Sequence, residues 1–296
     1  MKDLAILILN YNSSVKIVEQ VEKLITEEIS ASHFYIVDNN SDNEDRKRLV
    51  NFVESKNLNF IQSSENGGYA KGNNLAIEKA IEDQKNFFLI LNPDIEISGA
   101  VVRNLYDILS RDRQLYIIGP RICDKDDREI IFSDGGKLYR DDFFQPDHVN
   151  VGKRIDEVII PQINYDIDYI NGSAMMFKKE ALSLIGKMRE DFFMYFEETE
   201  WCYRLQLLPN AEQAIVTSLV VYHELSKADS FKKFFMTRNR IYLCRLYNLP
   251  HRKFTLRLLY DAQKYLFNTK GNFIDNINLF FSQIRAVLEG EFRKLD

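Results

Sequence analysis

The sequence predicts an α/β fold with a mainly parallel sheet, helices on both faces of that sheet and a helical extension at the C-terminus. Short apolar runs alternate with helical stretches of about 10 to 15 residues in the first part of the chain, which is typical of βαβ units. After Phe231 apolar residues recur only at helical spacing. With 296 residues, 45% of them apolar, the chain is long enough for one large domain and an extension.

Each of the first four predicted strands ends in polar residues and is followed by a helix. The strands are predicted at Leu4 to Leu9, Phe34 to Val37, Leu58 to Ile61 and Leu89 to Asn92. Apolar residues at helical spacing predict the helices at Val15 to Ile25, Leu49 to Val53, Asn73 to Glu82 and Ala100 to Leu109. Because parallel strands end at the same edge of a sheet, their polar ends should meet where open α/β sheets bind ligands.

The middle of the chain is less regular. A short strand is predicted near Tyr116 to Ile118, and the charged, turn-rich stretch from Cys123 to Pro161 indicates an irregular insertion, to which we assign no function. Regular elements then return as a strand at Asp168 to Phe177, a helix at Lys179 to Ile185, an acid-rich helix start at Glu197 and a strand at Ala214 to Tyr222. Helices are predicted from Phe231 onward, with Pro250 between the first two.

The composition argues against a secreted or membrane-spanning protein. No apolar segment approaches the roughly 18 to 20 residues that cross a bilayer, and the chain passes from Met1 directly into a strand-like run. Cys123, Cys202 and Cys244 fit neither a disulfide framework nor a zinc spacing. We therefore expect a cytoplasmic protein.

The charge is distributed unevenly. The net charge is -5, yet eleven Lys or Arg residues stand against two acids from Lys227 to Lys270. These basic, aromatic helices suit an anionic membrane surface, where each basic residue contributes on the order of 1 kcal/mol. An equally supported alternative is that the aromatic residues of these helices pack against the rest of the chain or against a second subunit in a homodimer. Nucleic acid is not an expected partner, because the remainder of the chain is acidic.

The stretch from Leu89 to Asp94 joins a buried strand to a candidate ligand-binding acid. Pro93 removes a backbone donor and favours an extended Asn92, so the strand should stop there and place Asp94 at the ligand-binding edge. An oxygen of Asp94 and the imidazole of His223, both at strand ends, could share a divalent cation beside a diphosphate. An ordinary turn and an ordinary histidine are the alternatives.

Two further groups of residues carry candidate chemistry. Asp38 and the loop from Asn66 to Gly72 suit a nucleotide, since carboxylates and amides can read a base and ribose and glycine admits a phosphate, although the loop also suits a plain turn. Glu197, Glu198 and Glu200 lie within one helical turn, where repulsion and burial would raise the pKa of at least one toward that of a general base. Acids that complement the dipole of a helix N-terminus are the alternative reading.

The order of these motifs resembles the rhamnosyltransferase-type branch of the family 2 glycosyltransferases. The motifs are Asn10-Tyr11-Asn12, Val37-Asp38-Asn39, Asn66 to Asn74, Leu91 to Asp94, Asn171-Gly172-Ser173, Phe193 to Glu198 and His223. The resemblance implies a GT-A fold in residues 1–226, with a nucleotide-sugar-binding half (1–118), an acceptor-side half (119–226) and a basic helical extension (227–296). It also implies inverting transfer from a nucleoside diphosphate sugar with Mg²⁺ or Mn²⁺ as the cofactor.

The resemblance also implies roles for single residues. Asp38 matches the acid that reads the base, Asp94 the metal ligand and His223 a histidine near that metal, while Glu198, beside Glu197, matches the general base. The residues expected at the donor are Asn10, Tyr11, Asn12, Asp38, Asn66, Gly67, Lys71, Asn74, Asn92 and Asp94. Those expected on the acceptor side are Asn171, Gly172, Glu190, Glu200, Trp201 and Arg238, the last in an Arg-Asn pair.

Three positions depart from the pattern of the family. Asn92 stands where many relatives have aspartate, which removes one negative charge from the metal site. Glu198 is one methylene longer than the usual aspartate, so Glu197, Glu198 and Glu200 all remain candidates for the base. Lys187 to Glu190 replaces the usual Gly-Phe-Asp-Glu and leaves Glu190 as the matching acid.

We therefore expect an inverting glycosyltransferase of surface polysaccharide synthesis. Rhamnose from dTDP-rhamnose is the first donor to test, and the acceptor would be a glycan or a lipid-linked oligosaccharide, which could bring the protein to the inner face of the plasma membrane. A sugar nucleotidyltransferase would instead carry a glycine-rich, basic triphosphate loop after its first strand, which Asn10 to Ser14 does not resemble. A sugar-nucleotide-binding protein without turnover is the non-enzymatic alternative.

Overall fold

The computed structural model describes residues 1–224, 230–266 and 273–295. The chain divides into two compact units. The first contains Met1–Lys137, Asp147–Phe193 and Glu197–Leu225, and the second contains Leu138–Pro146, Met194–Phe196 and Ser226–Asp296. The domain boundary that the sequence predicts at residue 226 lies outside the described residues.

A large sheet forms the centre of the first unit. The strands are β1 (Leu4–Asn10), β2 (Phe34–Asp38), β3 (Asn59–Gln62), β4 (Phe87–Leu91), β5 (Ile95–Glu96), β6 (Leu115–Asp124), β7 (Ile131–Ser133), β8 (Gly136–Tyr139), β9 (Gln145–His148), β10 (Ile163–Asn164), β11 (Ala174–Lys178) and β12 (Glu212–His223). The order is β10-β12-β6-β11-β4-β1-β2-β3, with β5 on β12 and β7 on β6, while β8 and β9 pair separately. The predicted α/β fold is confirmed.

Helices follow the strands as the apolar spacing predicts. They are α1 (Ser14–Thr26), α2 (Asn43–Lys56), α3 (Gly68–Glu82), α4 (Gly99–Arg111), α5 (Lys179–Ile185), α6 (Glu197–Gln206), α7 (Ser230–Leu246), α8 (Arg252–Leu266) and α9 (Phe273–Phe292). Local chemistry fixes several ends. The Asp42 carboxylate accepts from the Asp45 amide at the start of α2, and Ser98 caps α4 through the amide of Val101.

The strand directions bring the polar strand ends to one edge. β1 is parallel to β2 and to β4, so the carboxyl ends of these three strands lie at the same edge of the sheet. Asn10 and Asp38 are the last residues of β1 and β2, and Asn92 comes directly after β4. β11 is antiparallel to both β4 and β6, which makes β6 parallel to β4, and β12 is parallel to β6. His223, at the end of β12, therefore reaches the same edge as Asp94, as the sequence predicts.

Both faces of the sheet are buried. Leu4, Ile6 and Ile8 on one face of β1 belong to a core that includes apolar residues of α1 and α4. On the other face, a Cβ atom at Gly72 of α3 would lie 2.2 Å from a methyl group of Leu9, so only glycine allows this helix to pack so closely. Each fully buried Leu or Ile stabilises the fold by roughly 1.5 to 3 kcal/mol.

Several predicted boundaries need correction. The strand predicted from Asp168 begins only at Ala174, because that is where the pairing of β11 with β4 starts, and residues 168–173 form turns and an isolated bridge instead. The helix predicted from Asn73 begins at Gly68, and the short strand predicted near Tyr116 is part of the longer β6. The irregular insertion from Cys123 to Pro161 is confirmed as loops with short strands.

The second unit is built around α7, α8 and α9. Arg240 donates from Nε to the Phe143 carbonyl at 2.8 Å, and the Phe143 ring stacks on Phe254 with centroids 5.0 Å apart. Arg245 donates to the carbonyls of Gly290 and Arg293 at 2.9 and 2.7 Å. Part of the basic charge that the sequence places in this region is therefore used inside the unit.

Within the described ranges, none of the helices is long and apolar enough to cross a membrane.

Candidate active site

Asp94 lies in a turn that neighbouring residues hold in place. The Asn92 amide donates to the Ser173 carbonyl at 2.8 Å, which ties the turn to the residue before β11. The side-chain amide of Gln20 donates to the carbonyls of Asn92 and Ile95 at 2.9 and 2.7 Å. The backbone on both sides of Asp94 is thus fixed before any ligand binds.

Sequence reasoning missed Gln20, although the sequence holds a signal for it. Gln20 occupies the buried face of α1, where the apolar residues Ile17, Val21 and Leu24 recur at helical spacing. A polar side chain at such a position needs a buried hydrogen-bond partner, and the backbone on the two sides of Asp94 supplies the carbonyls of Asn92 and Ile95.

Asp94 and His223 are in contact. His223 Nε2 lies 3.3 Å from Asp94 Oδ2, and both side chains are partly buried. Burial by itself would raise the pKa of Asp94, but the hydrogen bond from His223 and its charge outweigh burial and lower that pKa below its usual value. Among the described residues, Asp94 Oδ1 and His223 Nδ1 are buried and find no hydrogen-bond partner.

These two side chains fit part of a divalent metal site. An aspartate oxygen suits Mg²⁺, and an oxygen together with an imidazole nitrogen suits Mn²⁺. In the part of the chain that the structure describes, no cluster of three or more His, Cys, Asp or Glu side chains could hold a metal ion. A cation at Asp94 and His223 would take its remaining ligands from other donors, such as water or the oxygens of a bound molecule.

The irregular insertion gains a role in the structure, because it contributes to the surroundings of His223. Phe132 of β7 has its ring centroid 5.6 Å from that of His223 and 4.9 Å from that of His148. His148 Nδ1 lies 3.2 Å from the hydroxyl of Ser133. The insertion thus supplies an aromatic contact to the His223 ring.

A cleft of about 340 Å³ opens beside Asp94. Its charged lining residues are Lys16, Glu19, Lys23, Asp94, Glu96, Lys125 and Glu224. Lys16 lies 2.7 Å from Glu224, and the hydrogen bond between them raises the pKa of Lys16. The cleft thus holds lysines and acids together, and two of its lysines, Lys16 and Lys23, pair with Glu224 and Glu96.

The three acids at the start of α6 have different surroundings. Glu197 and Glu200 are almost fully buried, and Glu200 accepts from Arg204 at 3.0 Å. Glu198 is partly exposed. Burial raises the pKa of Glu198 to about 6, although hydrogen bonds from the backbone amides of Glu198 and Thr199 oppose the rise. Glu198 is therefore the acid that combines access with the pKa of a useful base.

Tyr69 links α3 to the segment beside Glu198. Its hydroxyl donates to the Gly172 carbonyl at 2.6 Å, and its amide donates to the Phe193 carbonyl at 2.7 Å. A Cβ atom at Gly172 would lie 2.8 Å from the Tyr69 hydroxyl and 3.3 Å from Cγ of Glu198. Burial first, and then the charges of Glu198, Glu197 and Asp94, raise the pKa of Tyr69 well above its usual value. The candidate base and the candidate metal ligand thus both lie within electrostatic reach of Tyr69.

Asn10 and Asp38 lie together at the ends of β1 and β2. The Asn10 side-chain amide contacts Asp38, Ser41 and Asp45 at distances of 3.0, 2.9 and 2.7 Å. The other oxygen of Asp38 accepts from Nε of Arg46 at 3.1 Å, and Asp38 is fully buried. Each oxygen of Asp38 thus accepts one hydrogen bond and keeps a second lone pair that could accept from a nucleotide base.

The other expected donor residues lie around the same loops. Tyr11 is half-exposed, and Asn12 has a positive φ and accepts from the Asp42 amide at 2.9 Å. Asn66 accepts from the Gly68 amide at 3.1 Å, which shapes the loop that holds Gly67. Lys71 forms an ion pair with Glu65, and Asn74 donates to the Met188 carbonyl and to Glu190 at 2.9 and 3.0 Å.

Some of the residues expected on the acceptor side are buried and have no surface that an acceptor could contact. Asn171 accepts from the Ser173 amide at 2.9 Å, next to Gly172. Trp201 is fully buried, donates to the Gly186 carbonyl at 2.8 Å and meets Phe177 edge-on, so it has no surface that an acceptor could touch. Glu200 is also buried, and Arg238 is buried within the second unit.

Comparisons with known proteins identify a family and relatives of this chain. The model of glycosyl transferase family 2 matches residues 5–185. The low-salt glycan biosynthesis hexosyltransferase Agl10 of Haloferax volcanii is 31% identical over 210 residues, which cover 69% of this chain and 62% of that protein. The dTDP-rhamnosyl transferase RfbF of Shigella flexneri is 24% identical over 197 residues, which cover 67% of this chain and 61% of that protein. The chain thus spans less than two thirds of the length of either relative.

A solved structure shows the same fold. The crystal structure of GalNAc-T7 with UDP, GalNAc and Mn²⁺ matches with a TM-score of 0.64 and 13% identity, over 95% of this chain and 54% of that one. At this level of identity the likeness concerns the fold alone. The GT-A fold expected from the sequence is thereby confirmed.

Proposed function

The chain belongs to glycosyl transferase family 2, and from this we propose that it transfers a sugar from a nucleoside diphosphate sugar to a glycan acceptor. The observation that carries the proposal is the pair of Asp94 and His223 at the carboxyl edge of the sheet, where each side chain has one buried polar atom without a partner. Open α/β sheets bind their ligands at this edge. The pair suits the diphosphate end of such a donor.

Asp94 and His223 are the residues that would hold Mg²⁺ or Mn²⁺. When bound, the ion would offset the negative charge that develops on the departing diphosphate. Gln20 holds the backbone on both sides of Asp94, and the Phe132 ring contacts the His223 ring. Asn92 would contribute an uncharged side chain beside the ion. Because the side chain of Asn92 is neutral, Asp94 would be the carboxylate that binds the ion.

Glu198 is the proposed general base. It would take the proton from the acceptor hydroxyl while that oxygen attacks the anomeric carbon, and a single displacement of this kind inverts the configuration. The partial exposure of Glu198 and its pKa of about 6 favour it over Glu197 and Glu200, which are buried. Tyr69 and Gly172 would set the position of Glu198, since both lie beside its side chain.

The proposed substrates follow the relatives. RfbF is a dTDP-rhamnosyl transferase and Agl10 is a glycan biosynthesis hexosyltransferase, so dTDP-rhamnose is the first donor to test and a hexose donor the second. The proposed acceptor is a glycan or a lipid-linked oligosaccharide in surface polysaccharide synthesis. The proposed residues of the donor side remain Asn10, Tyr11, Asn12, Asp38, Asn66, Gly67, Lys71 and Asn74, together with Asn92 and Asp94.

A thermal-shift panel of nucleoside diphosphate sugars, each with and without Mn²⁺, tests the proposal. A ligand that binds only the folded state of a protein raises the melting temperature of that protein, and the rise grows with the logarithm of the ligand concentration above the dissociation constant. We expect one nucleotide sugar to raise the melting temperature in the presence of Mn²⁺ and to do so much less with a chelator. If none of the sugar nucleotides shifts the transition under either condition, the proposal is wrong.

A further inference from the structure

Helix α8 presents a basic surface with an apolar centre. Leu256 and Tyr260 lie about one helical turn apart, and each is 65% exposed. Each of them has two basic residues three or four positions away, which places all six side chains on one side of the helix. The basic residues are Arg252, Lys253, Arg257 and Lys264, and all four are exposed. We call this surface the α8 face.

The opposite side of α8 packs inside the second unit. Phe254, Thr255 and Ala262 are buried there, and the Phe254 ring stacks on that of Phe143. At the start of the helix, His251 Nε2 lies 3.0 Å from a carboxylate oxygen of Glu291. One side of α8 therefore anchors the helix, and the α8 face is the side that solvent reaches.

The charge of α8 is positive. The helix contains four Lys or Arg residues and one acid, Asp261. Asp261 forms ion pairs with Arg257 and Lys264, whose side chains are 71% and 68% exposed. Ion pairs between exposed side chains are weak and are easily exchanged for other partners. The α8 face thus keeps a net positive charge that can act on an anionic partner.

Other basic residues of the second unit are used inside it. Arg240 and Arg245 donate to backbone carbonyls, and Arg238 is buried with its guanidinium carbon 4.5 Å from the centroid of the Phe235 ring. The sequence alone offers these arginines and those of α8 equally for contact with an anionic surface. The structure separates them, because the basic side chains of α8 remain exposed.

Charge complementarity favours an anionic phospholipid surface as the partner of the α8 face. Apolar side chains flanked by Lys and Arg are typical of helices that lie in the headgroup region of a membrane, and Tyr is enriched at that depth. Docking on a second copy by two-fold symmetry would bring two basic surfaces together, and their like charges would repel. Nucleic acid would be repelled by the rest of the chain, whose total net charge is -5.

We propose that the α8 face binds the surface of a membrane that contains anionic phospholipid. Leu256 and Tyr260 would enter the boundary between the headgroups and the acyl chains. The four basic side chains around them would lie at the level of the lipid phosphates and attract the negative surface. This inference does not depend on the proposed function.

Cosedimentation of the 296-residue chain with lipid vesicles tests the proposal. We expect the wild type to pellet with vesicles of phosphatidylcholine and phosphatidylglycerol, and much less with phosphatidylcholine alone. Binding should weaken as salt is added, since the screening length falls from about 30 Å at 0.01 M to about 3 Å at 1 M. A basic residue near the surface contributes about a factor of five, so Lys253→Glu should lower the partition into anionic vesicles by about fivefold or more.

Matched controls separate the α8 face from the rest of the surface. Lys47 is also an exposed lysine on a helix, α2 of the first unit, and Lys47→Glu should bind vesicles as the wild type does. Leu256→Ser should weaken binding without a change of charge, whereas Leu184→Ser, at a leucine of α5 that is 47% exposed, should not. Arg252→Glu provides a second charge variant, and circular dichroism shows whether each variant is folded.

Three results would overturn the proposal. The first is a wild type that stays in the supernatant with anionic vesicles at low salt; binding of that protein to soluble polyglutamate would then assign the α8 face to an acidic polypeptide. The second is wild-type binding in folded Lys253→Glu, Arg252→Glu and Leu256→Ser. The third is equal binding of the wild type to neutral and anionic vesicles, because the charge of the α8 face would then play no part.

Discussion

His223 Nε2 lies 3.3 Å from Asp94 Oδ2, although the two residues are far apart in the sequence. The contact follows from strand direction, because β4 and β12 both end at the same edge. His223 is the last residue of β12, and Asp94 lies in the turn after β4. Each residue also keeps one buried polar atom without a partner among the described residues. This pair is the structural basis for the proposed metal-dependent chemistry.

Asp94→Asn should remove the metal-dependent part of donor binding. The amide keeps the shape of the side chain but loses the charge that a divalent cation requires. We expect the rise in melting temperature caused by a nucleotide sugar with Mn²⁺ to fall to the value seen without metal. Glu96→Gln is the control, because Glu96 lies in the same segment but pairs with Arg128 at 2.8 Å. A full Mn²⁺-dependent shift in Asp94→Asn would contradict the assignment.

The rate of transfer should depend on the ionisation of Glu198. A base acts in its deprotonated form, and the pKa of Glu198 is about 6, so the rate should fall about tenfold per pH unit below that value and level off above it. The measurement is the pH profile of turnover. Glu198→Gln should lower the rate on the order of a hundredfold or more and abolish this limb of the profile. Glu197→Gln is the neighbouring control and should retain the limb.

Glu198 should also make the folded protein less stable at neutral pH. Its folded pKa of about 6 lies above the ordinary value of 4.5, so the folded state holds the proton more tightly than the unfolded chain. Stability should therefore fall as the pH rises from about 4.5 to about 6, by on the order of 2 kcal/mol. Glu198→Gln should be more stable than the wild type at pH values well above this window, as measured by urea unfolding. Equal stability of the two proteins there would contradict the raised pKa.

Neighbouring glycines offer a matched test of the loop before α3. Gly68 has a φ of +83° and its Cβ atom would lie 2.1 Å from the Phe193 carbonyl, whereas Gly67 would meet only the flexible side chain of Lys71. We expect Gly68→Ala to lower the free energy of unfolding by about 1 to 3 kcal/mol or more, and Gly67→Ala to change it little. Equal effects would show that the close approach of Phe193 is not required.

The sequence predicts the edge of the sheet well because two local signals agree there. Apolar runs mark the strands, and Asn10, Asp38 and Asn92 mark where they end. Parallel strands then bring these ends together without further information. Asp94 and His223 could be paired for the same reason, since each follows a strand.

The contacts that hold the site in place are harder to predict. The start of β11 depends on its pairing with β4, a long-range contact that leaves no local pattern before Ala174. Phe132 contacts His223 from a turn-rich insertion whose sequence has no clear period. The family resemblance places Trp201 on the acceptor side, but the side chain is fully buried and packs on Phe177. Such roles depend on which elements pack together.

Donor hydrolysis tests the central claim most directly, because it needs no knowledge of the acceptor. The wild type, incubated with dTDP-rhamnose and then with other nucleotide sugars, is assayed for slow release of the nucleoside diphosphate with Mn²⁺ and with a chelator. We predict release that requires Mn²⁺ and is lost in Asp94→Ala, while Glu96→Gln keeps it. Release that is absent with every donor, or that continues unchanged in Asp94→Ala, would contradict a metal-dependent glycosyltransferase built on Asp94 and His223.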